Sequence, residues 1–269
     1  MKKVSDKEII DIYKKYKAIT VVMKETGVSY IKIKRILLEH GLFEQKFNIK
    51  RLRKNNVNDE YFKHIDSSDK AYWLGFLWGD GYISELNNLV GVSLSQQDKH
   101  HLEKFKDSIE FTGKIHNYKT TGGFVVGLDY CRISFVSSTM INDLKAKGFL
   151  AKKSLIMKPP FKKCISEEFK SHFWRGVFDA NGSLSLRKNG RFDFHLCGTK
   201  EMLNEFIKDL SINTTTKLYQ RKLDCPVYDL KLSISKNNID LLNNLYKNSF
   251  DKIRLDRKYA KYIEIKNNV

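Results

Sequence analysis

Apolar residues recur at two different spacings along the chain, and these spacings divide it into a short helical segment and two similar halves. In residues 1–43 the spacing is helical and predicts three short helices. From residue 69 onward the pattern predicts helix, strand, strand, helix, strand, strand and helix, and this order then occurs a second time. Pro159 and Pro160 interrupt the segment between the two halves and exclude a helix there.

The clearest internal similarity lies in the first predicted helix of each half. Ala71 to Gly81 reads AYWLGFLWGDG, and His172 to Gly182 reads HFWRGVFDANG. Each stretch has a glycine and, four residues later, a second small residue. Residues four apart share one face of a helix, and small side chains there let two helix backbones approach closely. The sequence therefore predicts that these two helices pack against each other.

Each of the two helices is expected to end in a polar residue followed by glycine. Asp80 and Asn181 would lie in the last turns, side by side if the helices pair. We expect Gly81 and Gly182 to end the helices in the left-handed conformation that is common at helix C-termini. Two oxygen-bearing side chains at adjacent helix ends are typical of a metal site.

WLGFLWGDG and WRGVFDANG resemble the two signature helices of the LAGLIDADG homing endonucleases, and the resemblance covers about residues 59–265. It implies an α+β fold in which tandem αββαββα repeats with pseudo-two-fold symmetry form a DNA-binding saddle. A small all-α domain would precede it. The expected boundaries are 1–43 for a helix-turn-helix-like domain, 44–68 for a basic linker, 69–153 for the first repeat, 154–166 for a second linker and 167–269 for the second repeat.

The resemblance also implies the roles of individual residues in a site-specific DNA endonuclease. Asp80 would bind a divalent metal, Mg²⁺ or Mn²⁺, beside the carbonyl of Gly79, and Asn181 and Ala180 would occupy the partner site. Lys153 and Lys258, at matching points of the repeats, would neutralise charge near the scissile phosphates. Gln96 would position water, a role that its counterpart Gly198 cannot fill.

Asn181 departs from the acidic residue that the family pattern places there. An amide oxygen can bind a metal but carries no charge, so we expect an impaired second site with a nicking bias, slow double-strand cleavage or no cleavage. Alternatively, a shared metal and Asp80 suffice for both strands. Two other functions remain open on the same scaffold, a non-cleaving DNA-binding regulator and an RNA-binding splicing helper (maturase).

The predicted strands carry basic and aromatic side chains on the face opposite their apolar positions. Such a surface suits a DNA groove, because Arg can read guanine edges and Lys can contact phosphates. An ordinary solvated strand face is the competing interpretation. The candidate DNA-binding residues are Lys114, His116, Tyr118, Arg132, Arg187, Arg191, His195, Lys217, Tyr219, Arg221 and Lys231.

The first 43 residues resemble a helix-turn-helix, with Val22, Val28, Ile33 and Ile36 at its internal positions. On the third helix, Lys32, Lys34 and Arg35 would then face a major groove. A plain helical bundle is the alternative. The basic stretch at 46–56 would lie along a phosphate backbone or in a minor groove, and a solvated charge run is the alternative.

Charge and cysteine usage narrow the class of protein. With 49 Lys and Arg against 31 Asp and Glu, the formal charge is +18, which favours a polyanionic partner. We expect a monomeric protein that binds double-stranded DNA and no membrane, located in cytoplasm, nucleoid or organelle matrix. The four cysteines form no zinc motif and are expected to be reduced. The seven histidines make no metal motif either, and His100 and His101 are expected to be solvated.

Overall fold

The computed structural model describes residues 4–42, 55–121, 126–151, 153–160, 164–188, 190–212, 216–223 and 225–269. It forms two compact units, residues 1–53 and 54–269, which are described separately. Most of the basic stretch at 46–56 lies outside the described residues. None of the helices in the described ranges is both long enough and apolar enough to cross a membrane.

The first unit consists of three helices, α1 (Asp6–Tyr16), α2 (Ile19–Thr26) and α3 (Tyr30–Glu39). The Ser5 side chain accepts the Glu8 amide hydrogen and caps α1, whereas Ser29 precedes α3 without a side-chain cap. Most of the predicted internal positions are buried, and Val28 is partly buried. The apolar core is made by Ile9, Tyr13, Ile19, Val22, Ile33, Ile36 and Leu37.

The second unit repeats one order of elements twice, as predicted. The first repeat contains α4 (Ser68–Asp80), β1 (Gly81–Ser84), β2 (Leu89–Ser95), α5 (Lys99–Ser108), β3 (His116–Lys119), β4 (Asp129–Val136) and α6 (Ser138–Ala146). The second contains α7 (Lys170–Asn181), β5 (Gly182–Leu186), β6 (Phe192–Thr199), α8 (Lys200–Asp209), β7 (Leu218–Gln220), β8 (Val227–Ile234) and α9 (Asp240–Tyr246). A last helix, α10 (Asp256–Asn268), was not predicted.

Each repeat forms one antiparallel four-stranded sheet, with strand orders β1-β2-β4-β3 and β5-β6-β8-β7. The registers correspond: Gly81 pairs with Val92 and Val92 with Ile133, just as Gly182 pairs with Leu196 and Leu196 with Leu230. These apolar partners are buried against the helices, so each sheet has one covered and one open face. The fold is therefore α+β with two tandem repeats, as the sequence predicts.

Helices α4 and α7 pack directly against each other at the centre of this unit. A Cβ atom on Gly75 would lie 1.9 Å from the carbonyl oxygen of Phe173, and one on Gly176 would lie 2.1 Å from that of Tyr72. No side chain fits in such gaps, because real Cβ contacts are much longer. The two glycines therefore permit backbone contact between the repeats, as their spacing predicts.

The expected left-handed conformation of the closing glycines was wrong. Gly81 has φ of −73° and Gly182 has φ of −94°, and each begins a strand. Glycine is required there for another reason. A Cβ atom would come within 2.7 Å of the carbonyl oxygen of Leu77 or Phe178 in the preceding helical turn. The chain thus passes from helix to strand without a loop, which places Asp80 and Asn181 at both the helix end and the sheet edge.

Three other details differ from the sequence prediction. The strand expected from Lys114 begins at His116, and the one expected from Lys217 begins at Leu218, so both lysines precede their strands. The alternation of apolar residues predicts a strand over 124–136, but β4 begins at Asp129, and residues 122–125 lie outside the described ranges. His101 is buried rather than solvated, with its Nε2 2.9 Å from the Tyr72 hydroxyl.

Candidate functional site

The C-terminal ends of α4 and α7 meet and bring the expected metal-site residues together. The position of a Cβ atom on Gly79 lies 2.2 Å from Cβ of Ala180 and 3.4 Å from Oδ1 of Asn181. Asp80 follows Gly79 at the same helix end, and both Asp80 and Asn181 are half-buried. Helix C-termini carry partial negative charge, so this junction attracts cations.

Two buried lysines, one from each repeat, supply positive charge at these helix ends. The Lys153 ammonium donates a hydrogen bond to the Gly79 carbonyl at 2.8 Å. The Lys258 ammonium donates to the carbonyls of Phe178, Asp179 and Gly182, at 2.8, 2.7 and 2.5 Å. An ammonium has three hydrogens, so Lys258 uses all of them on the end of α7. Burial lowers the pKa of both lysines to about 8.

The Asp80 carboxyl group lies within the same electrostatic cluster. Burial raises the pKa of Asp80 to about 6, although the charges of Lys258 and Lys153 favour the carboxylate. No hydrogen bond to its carboxylate is made by the part of the chain that the structure describes. A desolvated carboxylate without hydrogen-bond donors is suited to bind a cation.

Asp98 and Arg257 connect the two repeats next to this cluster. The Arg257 guanidinium donates to both Asp98 oxygens, with Nε at 2.8 Å from Oδ1 and a terminal nitrogen at 3.0 Å from Oδ2. Lys104 similarly donates to the carboxylate of Asp256 at 2.8 Å. Both acceptor–donor pairs join the turn and helix after β2 to the start of α10. They hold the helix that carries Lys258 against the first repeat.

A buried polar network lies one turn above the junction, and it was not predicted from the sequence. The Asp179 carboxylate accepts hydrogen bonds from Tyr72 at 2.8 Å, from Tyr246 at 3.1 Å and from the Leu255 amide at 2.8 Å. Arg175, which is fully buried, donates to the carbonyls of Leu245 and Ile253 and to His172. The only sequence signal was the i, i+4 spacing of Arg175 and Asp179 on an otherwise apolar helix.

The donor set at the junction fits a hard divalent metal. Asp80, the carbonyl of Gly79 and the amide of Asn181 offer oxygen atoms, which Mg²⁺ and Mn²⁺ prefer. Within the described ranges, no group of three or more His, Cys, Asp or Glu side chains could hold an ion by itself. This is compatible with Mg²⁺, which keeps several waters and takes few protein ligands.

Gln96 lies in the turn that follows β2, two residues before Asp98. Its side-chain Oε1 is buried and has no hydrogen-bond partner within the described residues. A buried acceptor without a partner indicates a site for water or a ligand. This agrees with the water-positioning role that the family resemblance implies, and that role stays a prediction.

The open face of the first sheet carries an arginine held by aromatic residues. Arg132 pairs in register with Ser93 and His116, and its guanidinium lies 5.6 Å from the Tyr118 ring centre. The Tyr82 ring lies over Gly91, where a Cβ atom would come within 2.4 Å of the hydroxyl. Tyr82 was not among the predicted residues. The predicted Lys114, His116, Tyr118 and Arg132 are all exposed.

The open face of the second sheet has acidic residues among its basic ones. Asp229 accepts hydrogen bonds at 2.8 Å from His195 and from Nε of Arg221. Arg187 donates through Nε to Asp193. The alternation of residues along the strands predicted that these basic residues lie on the open face, but it did not indicate their acidic partners. The other predicted residues on this side, Arg191, Lys217, Tyr219 and Lys231, are exposed.

On the first unit, Lys32 and Arg35 of α3 are exposed, whereas Lys34 is half-buried. Arg35 forms an i, i+4 ion pair with Glu39 at 3.8 Å. Met23 of α2 stands where the helix-turn-helix resemblance favours a small residue, and its side chain is exposed.

Comparison with solved structures identifies the architecture. The homing endonuclease I-WcaI, bound to its DNA recognition sequence, matches 76% of this chain and 90% of its own at 15% identity, with a TM-score of 0.50. The fold is that of the LAGLIDADG homing endonucleases. The LAGLIDADG meganuclease I-CpaMI, bound to uncleaved DNA, matches 73% of this chain and 89% of its own at 12% identity, with a TM-score of 0.48. No protein-family model matches the sequence, and no curated protein matches it either.

Within the LAGLIDADG fold, the α4–α7 junction is the place where the two repeats meet. Asp80, Asn181, Lys153 and Lys258 all lie at this junction, and the two open sheet faces belong to the same unit. The geometry therefore offers one cation-attracting centre and two polar surfaces.

Proposed function

We propose that this protein is a site-specific DNA endonuclease that requires a divalent metal and cleaves one strand faster than the other. The observation that carries the proposal is the junction of α4 and α7. There, the desolvated Asp80 carboxylate lies beside the Gly79 carbonyl, Asn181 and the buried Lys153. The DNA-bound state of I-WcaI supports DNA as the partner for this fold.

The metal would be held by Asp80, the Gly79 carbonyl and the Asn181 amide, and Mg²⁺ or Mn²⁺ fits these oxygen donors. When bound, it would polarise the phosphate and make hydroxide available near neutral pH. Asp80 supplies the one full negative charge of this donor set. Gln96 would orient a water molecule through its buried Oε1.

The two lysines have different capacities to contact DNA. Lys153 uses one hydrogen on a carbonyl of the described chain, so two remain to donate to a phosphate oxygen. All three hydrogens of Lys258 are used on α7. We therefore assign phosphate contact to Lys153, and to Lys258 the structural role of holding the end of α7.

The strand preference follows from this asymmetry. The first repeat contributes a carboxylate and a lysine with spare donors, whereas the second contributes a neutral amide and a lysine without them. A neutral ligand beside a dication forfeits a full charge interaction. Cleavage of the strand nearer the second repeat is therefore expected to be slow.

A DNA-binding regulator without cleavage is the second candidate function, and Asn181 is the observation that favours it. Selection of bound duplexes from a randomised library, followed by incubation of the selected duplex with Mg²⁺, separates the two. An endonuclease cleaves the duplex with Mg²⁺ but not with EDTA, and Asp80→Asn binds without cleaving. Binding without cleavage at any Mg²⁺ concentration would instead identify the regulator.

A further inference from the structure

Two arginines on the second sheet are held in the same way by acidic residues of its open face. Arg187 is the first residue after β5, and its Nε donates to Asp193 on β6. Arg221 is the first residue after β7, and its Nε donates to Asp229 on β8 at 2.8 Å. Each aspartate lies on a strand interior and each arginine at a strand end. The arrangement therefore occurs twice in one sheet.

The aspartates are enclosed while the arginines are accessible. The side chains of Asp193 and Asp229 are 23% and 12% exposed, whereas those of Arg187 and Arg221 are 55% and 43% exposed. A carboxylate engaged with Nε restrains the guanidinium plane, because the five N–H groups have a fixed planar arrangement. In both pairs the contact with the aspartate is made through Nε, so the terminal nitrogens keep N–H groups that can donate to a further partner.

Asp229 is fixed from a second side as well. His195 lies on β6 in register with Lys231, and its Nε2 is 2.8 Å from the same Oδ1 that accepts from Arg221. Burial opposes ionisation of Asp229, but the hydrogen bonds from His195 and Arg221 outweigh it and lower its pKa. The carboxylate is therefore charged at neutral pH and cannot turn freely.

The first sheet has no such arrangement at the equivalent register position. Arg132 occupies in β4 the position that Asp229 occupies in β8, as the strand pairings show. Arg132 contacts the Tyr118 ring, and within the described residues it forms no ion pair. The two sheets therefore present opposite charges at this equivalent position.

Building on the proposed function, we propose that Asp193 and Asp229 are positioning residues for base recognition, and that Arg187 and Arg221 each read one guanine in the half-site facing the second sheet. A planar pair of terminal N–H donors matches O6 and N7 of guanine in the major groove. Contacts to phosphate need positive charge alone, and an adjacent aspartate would weaken them. The enclosed acids thus favour base reading over phosphate contact.

The test of this proposal is to select, from a randomised library, the duplexes that the whole chain binds. EDTA is present during the selection to prevent cleavage. Wild-type protein is expected to select guanine at two positions in one half-site. Asp229→Asn should reduce the guanine preference at one of them by about tenfold, and Asp193→Asn should do so at the other. Arg221→Lys keeps the charge but lacks the planar fork, and it should abolish the same preference as Asp229→Asn.

Asp129→Asn is the matched control, because Asp129 also pairs with a basic residue, Lys119 at 2.8 Å, but on the first sheet. All three Asp→Asn variants should bind random duplex as tightly as wild type or more tightly, since each removes one negative charge. Only the two second-sheet variants should lose a guanine preference.

Unchanged preferences, or equal loss at all positions, would overturn the assignment. Selection of sequences without those guanines would also overturn it while leaving the endonuclease proposal intact. Failure to select any duplex would reject the endonuclease proposal itself.

Discussion

The carbonyl oxygen of Phe173 occupies the place that a side chain on Gly75 would need. A Cβ atom there would be 1.9 Å from it, and Gly176 has the same relationship with Tyr72 at 2.1 Å. The two repeats are thus joined by helix backbones in contact, and the site at their ends depends on that contact.

Replacement of either glycine should separate the helices. Gly75→Ala and Gly176→Ala are each expected to lower the free energy of unfolding by about 3 kcal/mol or more, because backbone atoms must move. Urea unfolding measures this. Gly198→Ala is the control, since its nearest neighbour would be Cβ of Met202 at 3.6 Å. Equal effects of all three substitutions would show that helix contact is not the reason for these glycines.

Substitution of the two buried lysines should have different effects on stability and on cleavage. Lys258→Met leaves three carbonyls without their donor and should lower the free energy of unfolding by about 3 kcal/mol. Lys153→Met removes one hydrogen bond, so the loss should be about 1 kcal/mol, while cleavage of the selected duplex should stop. Urea unfolding and a cleavage assay on both variants give the ranking. The reverse order in stability would refute the structural role of Lys258.

The glycine spacing was sufficient to predict the helix pair from the sequence, and alternation was sufficient to predict the two sheets. The sequence could not predict why Gly81 and Gly182 are needed, because the contact with Leu77 or Phe178 depends on the abrupt change from helix to strand. The spacing of apolar and polar residues predicts single helices and strands. The contact of each closing glycine with the preceding turn arises only where a helix joins a strand.

The sequence likewise could not predict which side chains form hydrogen bonds with each other. Asp179 accepts from Tyr72, Tyr246 and Leu255, which lie in three separate segments and both repeats. The alternation of residues along the strand predicted the open face for Arg221 but not its pairing with Asp229. His101 lies in a polar stretch of sequence, and its burial beside the Tyr72 hydroxyl depends on a different helix.

Stability should respond to pH through His172. Burial and the adjacent Arg175 charge lower the pKa of His172 to about 4. The unfolded state, with an ordinary pKa near 6.5, therefore binds a proton that the folded state rejects, and stability is lost as pH falls through this window. Between pH 7.5 and pH 5 the contribution of His172 alone to this loss should be about 2 kcal/mol.

The His172→Gln variant isolates this contribution from those of other buried groups. The raised pKa of Asp80 acts in the opposite direction, and the lowered pKa of the buried His101 acts in the same direction. Urea unfolding of wild type and variant at several pH values gives the difference in free energy of unfolding. The free energy of unfolding of wild type minus that of the variant should fall by about 2 kcal/mol as pH falls from 7.5 to 5. A difference independent of pH would mean that His172 is not held neutral.

The most direct test of the central claim, that the two helix ends form one unequal metal-dependent centre, is strand-resolved cleavage of the library-selected duplex. With Mg²⁺, wild-type protein should cut one strand much faster than the other, Asp80→Asn should cut neither, and Asn181→Asp should increase cleavage of the slow strand. Equal cleavage of both strands by wild type, or any Mg²⁺-dependent cleavage by Asp80→Asn, would contradict it.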